Sequence, residues 1–168
     1  VSIKDIGLLS LVAFPYTFKF LWAPLMDRFT LPFLGRRKGW IFAMQLCIIA
    51  SLLFISLYNP HNHPLIIASI CVVICFFSAS QDIAINAYQA DILLEKERAL
   101  GSAVTVLGYR TAMFTSGSVA LFIAAFSSWN IAYLSMSAFM LIGIIGVFLA
   151  PATDPEKAHA PTSLQKAI

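Results

Sequence analysis

Residues 65–90 read L-I-I-A-S-I-C-V-V-I-C-F-F-S-A-S-Q-D-I-A-I-N-A-Y-Q-A. From Leu65 to Phe77 the run is apolar except at Ser69, whereas a β-barrel strand crosses a membrane in about 10 residues of alternating polarity. A helix rising about 1.5 Å per residue needs about 20 residues to cross a hydrocarbon layer about 30 Å thick. This stretch is long enough, so it predicts a membrane-spanning helix. Its second half carries Ser78, Asp82, Asn86 and Gln89, which fall within about 80° of one another at about 100° per residue. Gln81 and Tyr88 flank that stripe. Lipid offers such groups no partner, so this face is expected to look onto protein or a watery space.

The rest of the chain repeats the pattern. Of 168 residues, 60% are hydrophobic and 11% charged, against about 25% charged in a soluble domain. Besides 65–90, the stretches 7–27, 39–58, 101–126 and 130–150 are long and apolar enough to span. The expected fold is therefore all-α, a polytopic bundle of five spans within residues 1–150. Asn59 and Pro60, Pro64, and Pro151 punctuate the spans. Residues 151–168, with Pro151, Asp154, Pro155 and Pro161, have the composition of a linker or tail. The apolar stretch after Lys4 and Asp5 has no small-residue cleavage site, so it reads as a span rather than a signal peptide.

Charge narrows the partners. The net charge is +3 with the basic residues clustered, which argues against a nucleic-acid partner. Cys47, Cys71 and Cys75 are odd in number and lie in apolar runs, so they read as packing residues, with no disulfide framework and no metal. Arg28, Arg36, Arg37, Lys38, Lys96, Arg98, Lys157 and Lys166 fall on one side of the five-span topology, and Lys4 alone on the other. By the positive-inside rule the first side, tail included, is cytoplasmic. His61 and His63 then belong to an outer, solvated turn, and Trp22, Trp40, Tyr58 and Trp129 to the interfaces. Five spans with the tail inside leave the N-terminus outside. A further helix upstream would resolve this, so the chain is expected to be a piece of a longer protein.

Three charges lie inside spans: Lys19, Asp82 and Arg110. Each costs roughly 2.5 to 3.5 kcal/mol at the centre of an inserted helix. Counted from the cytoplasmic helix ends, all three fall about 12 to 14 Å deep. They are expected to share one level and to line a route for an anionic or zwitterionic solute. Asp82 is the candidate proton carrier, because burial favours a neutral carboxyl and a neighbouring cation an ionised one. The competing reading is a static ion pair or triad that holds the bundle together. Gly101, Thr105, Gly108, Ala112 and Thr115 form a small-residue stripe suited to close helix contact. Catalysis would need a nucleophile with a positioned base, yet His61, His63 and His159 all sit in loops or the tail. The chain does not read as an enzyme, and no cofactor is implied.

The segment from Ala23 to Gly39, A-P-L-M-D-R-F-T-L-P-F-L-G-R-R-K-G, resembles the loop signature between the second and third helices of the major facilitator superfamily. Asp27, Arg28, Gly35, Arg36, Arg37 and Lys38 stand at the motif positions, with a longer spacer between Arg28 and Gly35 than the usual pattern. T-F-K-F-L-W-A-P-L before it, S-A-S-Q-D-I-A-I-N-A-Y-Q-A-D-I-L from Ser78 to Leu93, and V-L-G-Y-R from Val106 to Arg110 together resemble the AmpG-like muropeptide permeases. Glu97, Arg98 and Gly101 fit the following cytoplasmic loop. Acetyl-coenzyme A transporters share part of this likeness.

The resemblance implies that the five spans match helices two to six of a twelve-helix carrier. It also implies proton-coupled import of anhydromuropeptides, cell-wall breakdown products, across the bacterial inner membrane. On that likeness Lys19, Asp82, Asn86 and Arg110 would line the substrate and proton pathway. Asp27, Arg28, Gly35, Arg36, Arg37, Lys38 and Arg98 would form a cytoplasmic gate. Partners would be membrane lipid, the solute, the proton and the remaining carrier helices. The alternatives are an acetyl-coenzyme A transporter, an inactive truncated or split fragment, and a non-transporting membrane subunit.

Overall fold

The computed structural model describes residues 14–29, 34–58 and 63–151. Four of its helices are long and apolar enough to cross a membrane. In chain order the elements are α1 (Phe14–Phe18), a 3-10 turn (Lys19–Leu21), α2 (Ala23–Arg28), α3 (Arg36–Ile55), α4 (Pro64–Ile92), α5 (Arg98–Phe114), a π turn (Thr115–Val119), α6 (Ala120–Phe126) and α7 (Trp129–Leu149). No strand occurs among the described residues. The span expected over 7–27 is seen in part: residues 7–13 lie outside the described residues, and the rest is two short helices joined by the 3-10 turn. Pro24 sits at the start of α2, where its fixed φ and missing N–H suit a first turn and not a helix interior.

Local chemistry sets the ends of the other helices. Pro64 opens α4 in the same way. Ser128, in extended conformation, caps α7 by accepting a hydrogen bond from the Ile131 N–H. Gly35 precedes α3 with φ +85° and ψ 174°, a conformation open to glycine and strained for a residue bearing Cβ.

α4 is the spine of the bundle, with α3 against one side and α1 to α2 against another. α3 also packs on α7, where a Cβ on Gly143 would run into the Gln45 side chain. Met26, Ile41, Ala84, Tyr88 and Val147 form a buried cluster where α2, α3, α4 and α7 meet. Lys38 is buried beside it and donates to the Ala150 carbonyl at 2.6 Å, and the Tyr88 hydroxyl donates to the Pro151 carbonyl at 2.8 Å. These bonds serve two carbonyls that the end of α7 leaves without helical partners. Elsewhere large apolar side chains point outward, Leu107, Phe114, Phe126 and Leu149 among them. Such a surface suits apolar surroundings.

Candidate functional site

The 3-10 turn carries Lys19 toward α4. Its Nζ donates to Asp82 Oδ2 at 2.6 Å. Two further bonds dock this broken segment on the same helix: Tyr16 Oη and Ser78 Oγ lie 2.7 Å apart, and Trp22 Nε1 donates to Ser80 Oγ at 3.0 Å. The Trp22 ring also rests on Phe76, centroids 4.9 Å apart, so Trp22 serves α4 as well as the interface to which the sequence assigned it. Ala79, Ser80 and Ala84 are all buried, and their small size lets the segment approach. The Lys19 ammonium also lies 5.9 Å from the Tyr16 ring centroid.

The pair is open on one side. Relative side-chain exposure is 37% for Lys19 and 41% for Asp82. Removing Lys19 would leave the Asp82 charge in the membrane-spanning helix α4 without this partner. Asn86 lies one helical turn from Asp82 and is exposed. Arg110 does not join the group: it is exposed on α5 and forms no ion pair with a described residue. The described contact of α5 with the polar face of α4 is a bond from Gln89 Nε2 to Thr105 Oγ1 at 2.8 Å.

A second charged cluster stands at the basic end of the helices. Arg37, in the first turn of α3, bonds Asp27 at the end of α2 through Nη1. Its Nε donates to Asp91 Oδ2, at the end of α4, at 3.0 Å. One guanidinium thus joins the ends of three elements, a task its planar fork performs and a lysine ammonium does not. The Arg37 side chain is 14% exposed, Asp91 27% and Asp27 50%, so Asp91 is the better shielded carboxylate. Trp40 Nε1 donates to the Phe29 carbonyl at 2.8 Å and steadies the same junction. Arg28 and Arg98 are exposed. Lys38 turns from this cluster toward the end of α7, as described above. Asp91 was missed as a site residue from sequence, where it marked only a helix end; its available signal was an acid closing α4 on the side rich in Arg and Lys.

The model of the Major Facilitator Superfamily matches residues 1–167. The chain is 41% identical over 169 aligned positions to the anhydromuropeptide permease of Escherichia coli (strain K12), covering 100% of this chain and 34% of that protein. It is 39% identical over 164 positions to an uncharacterized protein of Haemophilus influenzae, covering 96% of this chain and 39% of that one. A Rickettsia bellii protein bearing the name AmpG 1 is 29% identical over 155 positions, covering 88% and 38%. The chain spans about a third of the length of the curated relatives it matches.

Proposed function

The chain belongs to the major facilitator superfamily, and from that membership we propose that it forms part of a proton-coupled importer of anhydromuropeptides in the bacterial inner membrane. The observation that carries this reading is the Lys19–Asp82 pair, which ties the broken first segment to the membrane-spanning helix α4 and is open on one side. The substrate class is that of the relative with 41% identity. Its role is transport and not catalysis.

In this reading a proton arriving at Asp82 neutralises the carboxylate and frees the Lys19 ammonium to hold an anionic group of the solute. Asn86, one turn along, supplies a neutral donor and acceptor to the same space, and Arg110 meets the solute from α5. Loss of the proton on the other side restores the pair and releases the solute. The basic end faces the cytoplasm, as the loop charges require, and so does the tail. There Asp27, Arg37 and Asp91 bind α2, α3 and α4 together in one access state, and separation of those ends opens the path. Gly35 lets the chain turn into that latch, and Arg28, Arg36, Lys38 and Arg98 fix its cytoplasmic position. Residues 1–150 act as one transmembrane unit, and residues 151–168 link it to the remaining carrier helices.

The test is uptake of labelled anhydromuropeptide into membrane vesicles bearing the whole carrier, with and without an imposed pH gradient. Accumulation that follows the gradient and is not displaced by excess acetyl-coenzyme A is the expected result. Uptake indifferent to the gradient would remove proton coupling.

A further inference from the structure

Tyr16 and Lys19 stand three positions apart, across the join of α1 and the 3-10 turn, where tighter winding brings residues i and i+3 into line. Ser78 and Asp82 stand four apart on α4 and share one face of it. The two short ladders meet rung to rung: Tyr16 Oη and Ser78 Oγ lie 2.7 Å apart, and Lys19 Nζ donates to Asp82 Oδ2 at 2.6 Å. One rung is neutral and the other charged. A proton arriving at Asp82 weakens the charged rung and leaves the neutral one as it is, since two hydroxyls bond in either direction and take no part in the ionic contact.

The charged rung lies over the Tyr16 ring. Lys19 Nζ is 5.9 Å from the ring centroid, at the outer edge of the range in which an aromatic face attracts an ammonium. While the pair is made, the carboxylate holds the ammonium and the ring is a bystander. Other charges stand elsewhere: α1 and α7 carry none, those of α2 and α3 lie at the basic end of the helices, and the second acid of α4, Asp91, is bonded to Arg37. Arg110 of α5 forms no ion pair with a described residue. Among the described residues, then, the groups facing Asp82 that can carry charge are Lys19 and Tyr16. When the carboxyl is neutral, the Tyr16 ring is what remains to attract the Lys19 ammonium.

We propose that Tyr16 is a positioning residue for Lys19: its ring, pinned to α4 through Ser78, receives the ammonium when Asp82 is neutral and keeps it in place for an anionic group of the solute. This rests on the reading above that the pair opens when Asp82 takes up a proton. A lysine ammonium rides on a long flexible stem and disperses once its carboxylate partner is gone. Seated on the ring it stays at the site, so the solute meets a cation already placed and the ordering cost of binding falls. The hydroxyl rung meanwhile keeps the broken segment docked on α4 with the pair open.

The test is the NMR signal of the Lys19 side chain in the whole carrier, its lysine amines tagged by reductive methylation with isotope-labelled formaldehyde and the Lys19 signal identified by its loss in Lys19→Arg. Methyl groups that come over an aromatic face move upfield. Asp82→Asn holds that position neutral at every pH, and in it the Lys19 signal is expected upfield of its place in the parent. The displacement should persist when Tyr16→Phe is added and vanish when Tyr16→Leu is added. A signal that Asp82→Asn leaves in place, a displacement that survives Tyr16→Leu, or equal loss in the Phe and Leu variants would overturn the proposal. In uptake, Tyr16→Leu should raise KM for labelled anhydromuropeptide about fivefold with kcat little changed, and Tyr16→Phe should stay near the parent; a loss confined to kcat would also overturn it. The displacement is read without solute or gradient. Uptake indifferent to the gradient with the displacement present therefore defeats the coupling reading alone, and gradient-driven uptake without the displacement defeats this inference alone.

Discussion

Lys19 and Asp82, 63 positions apart in the chain, stand 2.6 Å apart through Nζ and Oδ2 where a broken segment meets the spine of the bundle. The contact is open on one side, and the hydrogen-bonded pairs Tyr16–Ser78 and Trp22–Ser80 dock the same segment on α4. More than a third of each side chain is uncovered within this chain. Partial exposure lowers what the pair contributes to stability.

Asp82→Asn keeps an acceptor for Lys19 and removes the titrating group. In the whole carrier it should lower gradient-driven uptake at least about tenfold while leaving membrane insertion unchanged. Uptake equal to that of the parent from about pH 5.5 to pH 8 would take Asp82 out of the coupling step. The exchanged pair Lys19→Asp with Asp82→Lys separates the two roles: normal uptake in that variant would mark a static bridge.

Arg37→Lys should be nearly as damaging as Arg37→Ala, because one ammonium cannot reproduce the fork that reaches both Asp27 and Asp91. A loss of about 1 to 2 kcal/mol is expected in thermal unfolding in detergent, discounted for the exposure of the cluster. Asp91→Asn should cost more than Asp27→Asn, since Asp91 is the less exposed of the two. The reverse order would mean that Asp27 dominates the junction.

Several of these contacts were within reach of the sequence and several were not. Counting residues from the helix ends put Lys19 and Asp82 at one depth, because the 3-10 turn is only three residues long and its rise of about 2.0 Å per residue against about 1.5 Å in an α-helix shifts the count by only about 1.5 Å. The same count put Arg110 there, and the structure leaves it apart from them: depth says nothing about the direction a side chain faces. α7 shows the difficulty, since a helix apolar nearly all round has no polar stripe to reveal its packed face. The bond from Arg37 to Asp91 joins residues 54 positions apart, and neither local propensity nor a loop signature reports that distance in the fold. The break in the first span falls where Pro24 opens α2, while its 3-10 turn left no signal of its own in the sequence.

Gly35→Ala should destabilise the turn into α3 by about 1 to 3 kcal/mol. Nothing lies within 4 Å of the Cβ position, so the whole cost is in the backbone at φ +85°. Thermal unfolding of the variant measures it, and a loss below about 0.5 kcal/mol would mean the loop relaxes to another conformation.

A double-mutant cycle on Gln89→Leu and Thr105→Val should return about 0.6 kcal/mol, the usual size of a polar contact between membrane helices. A value above about 1.7 kcal/mol would make this bond, and not further packing, the principal hold on α5.

The π turn at Thr115–Val119 sets the azimuth of everything that follows it. One surplus residue in a turn rotates the downstream faces by about 100° relative to an unbroken α-helix. The row of small residues running up from Gly101 therefore stops pointing its original way at Thr115, and Leu121, Phe122 and Phe126 address a different quarter of the surroundings than straight extrapolation assigns them. Shifting that surplus along the helix by one turn would re-aim only the side chains of the intervening turn, by about 100°, and leave the two halves in their present relation.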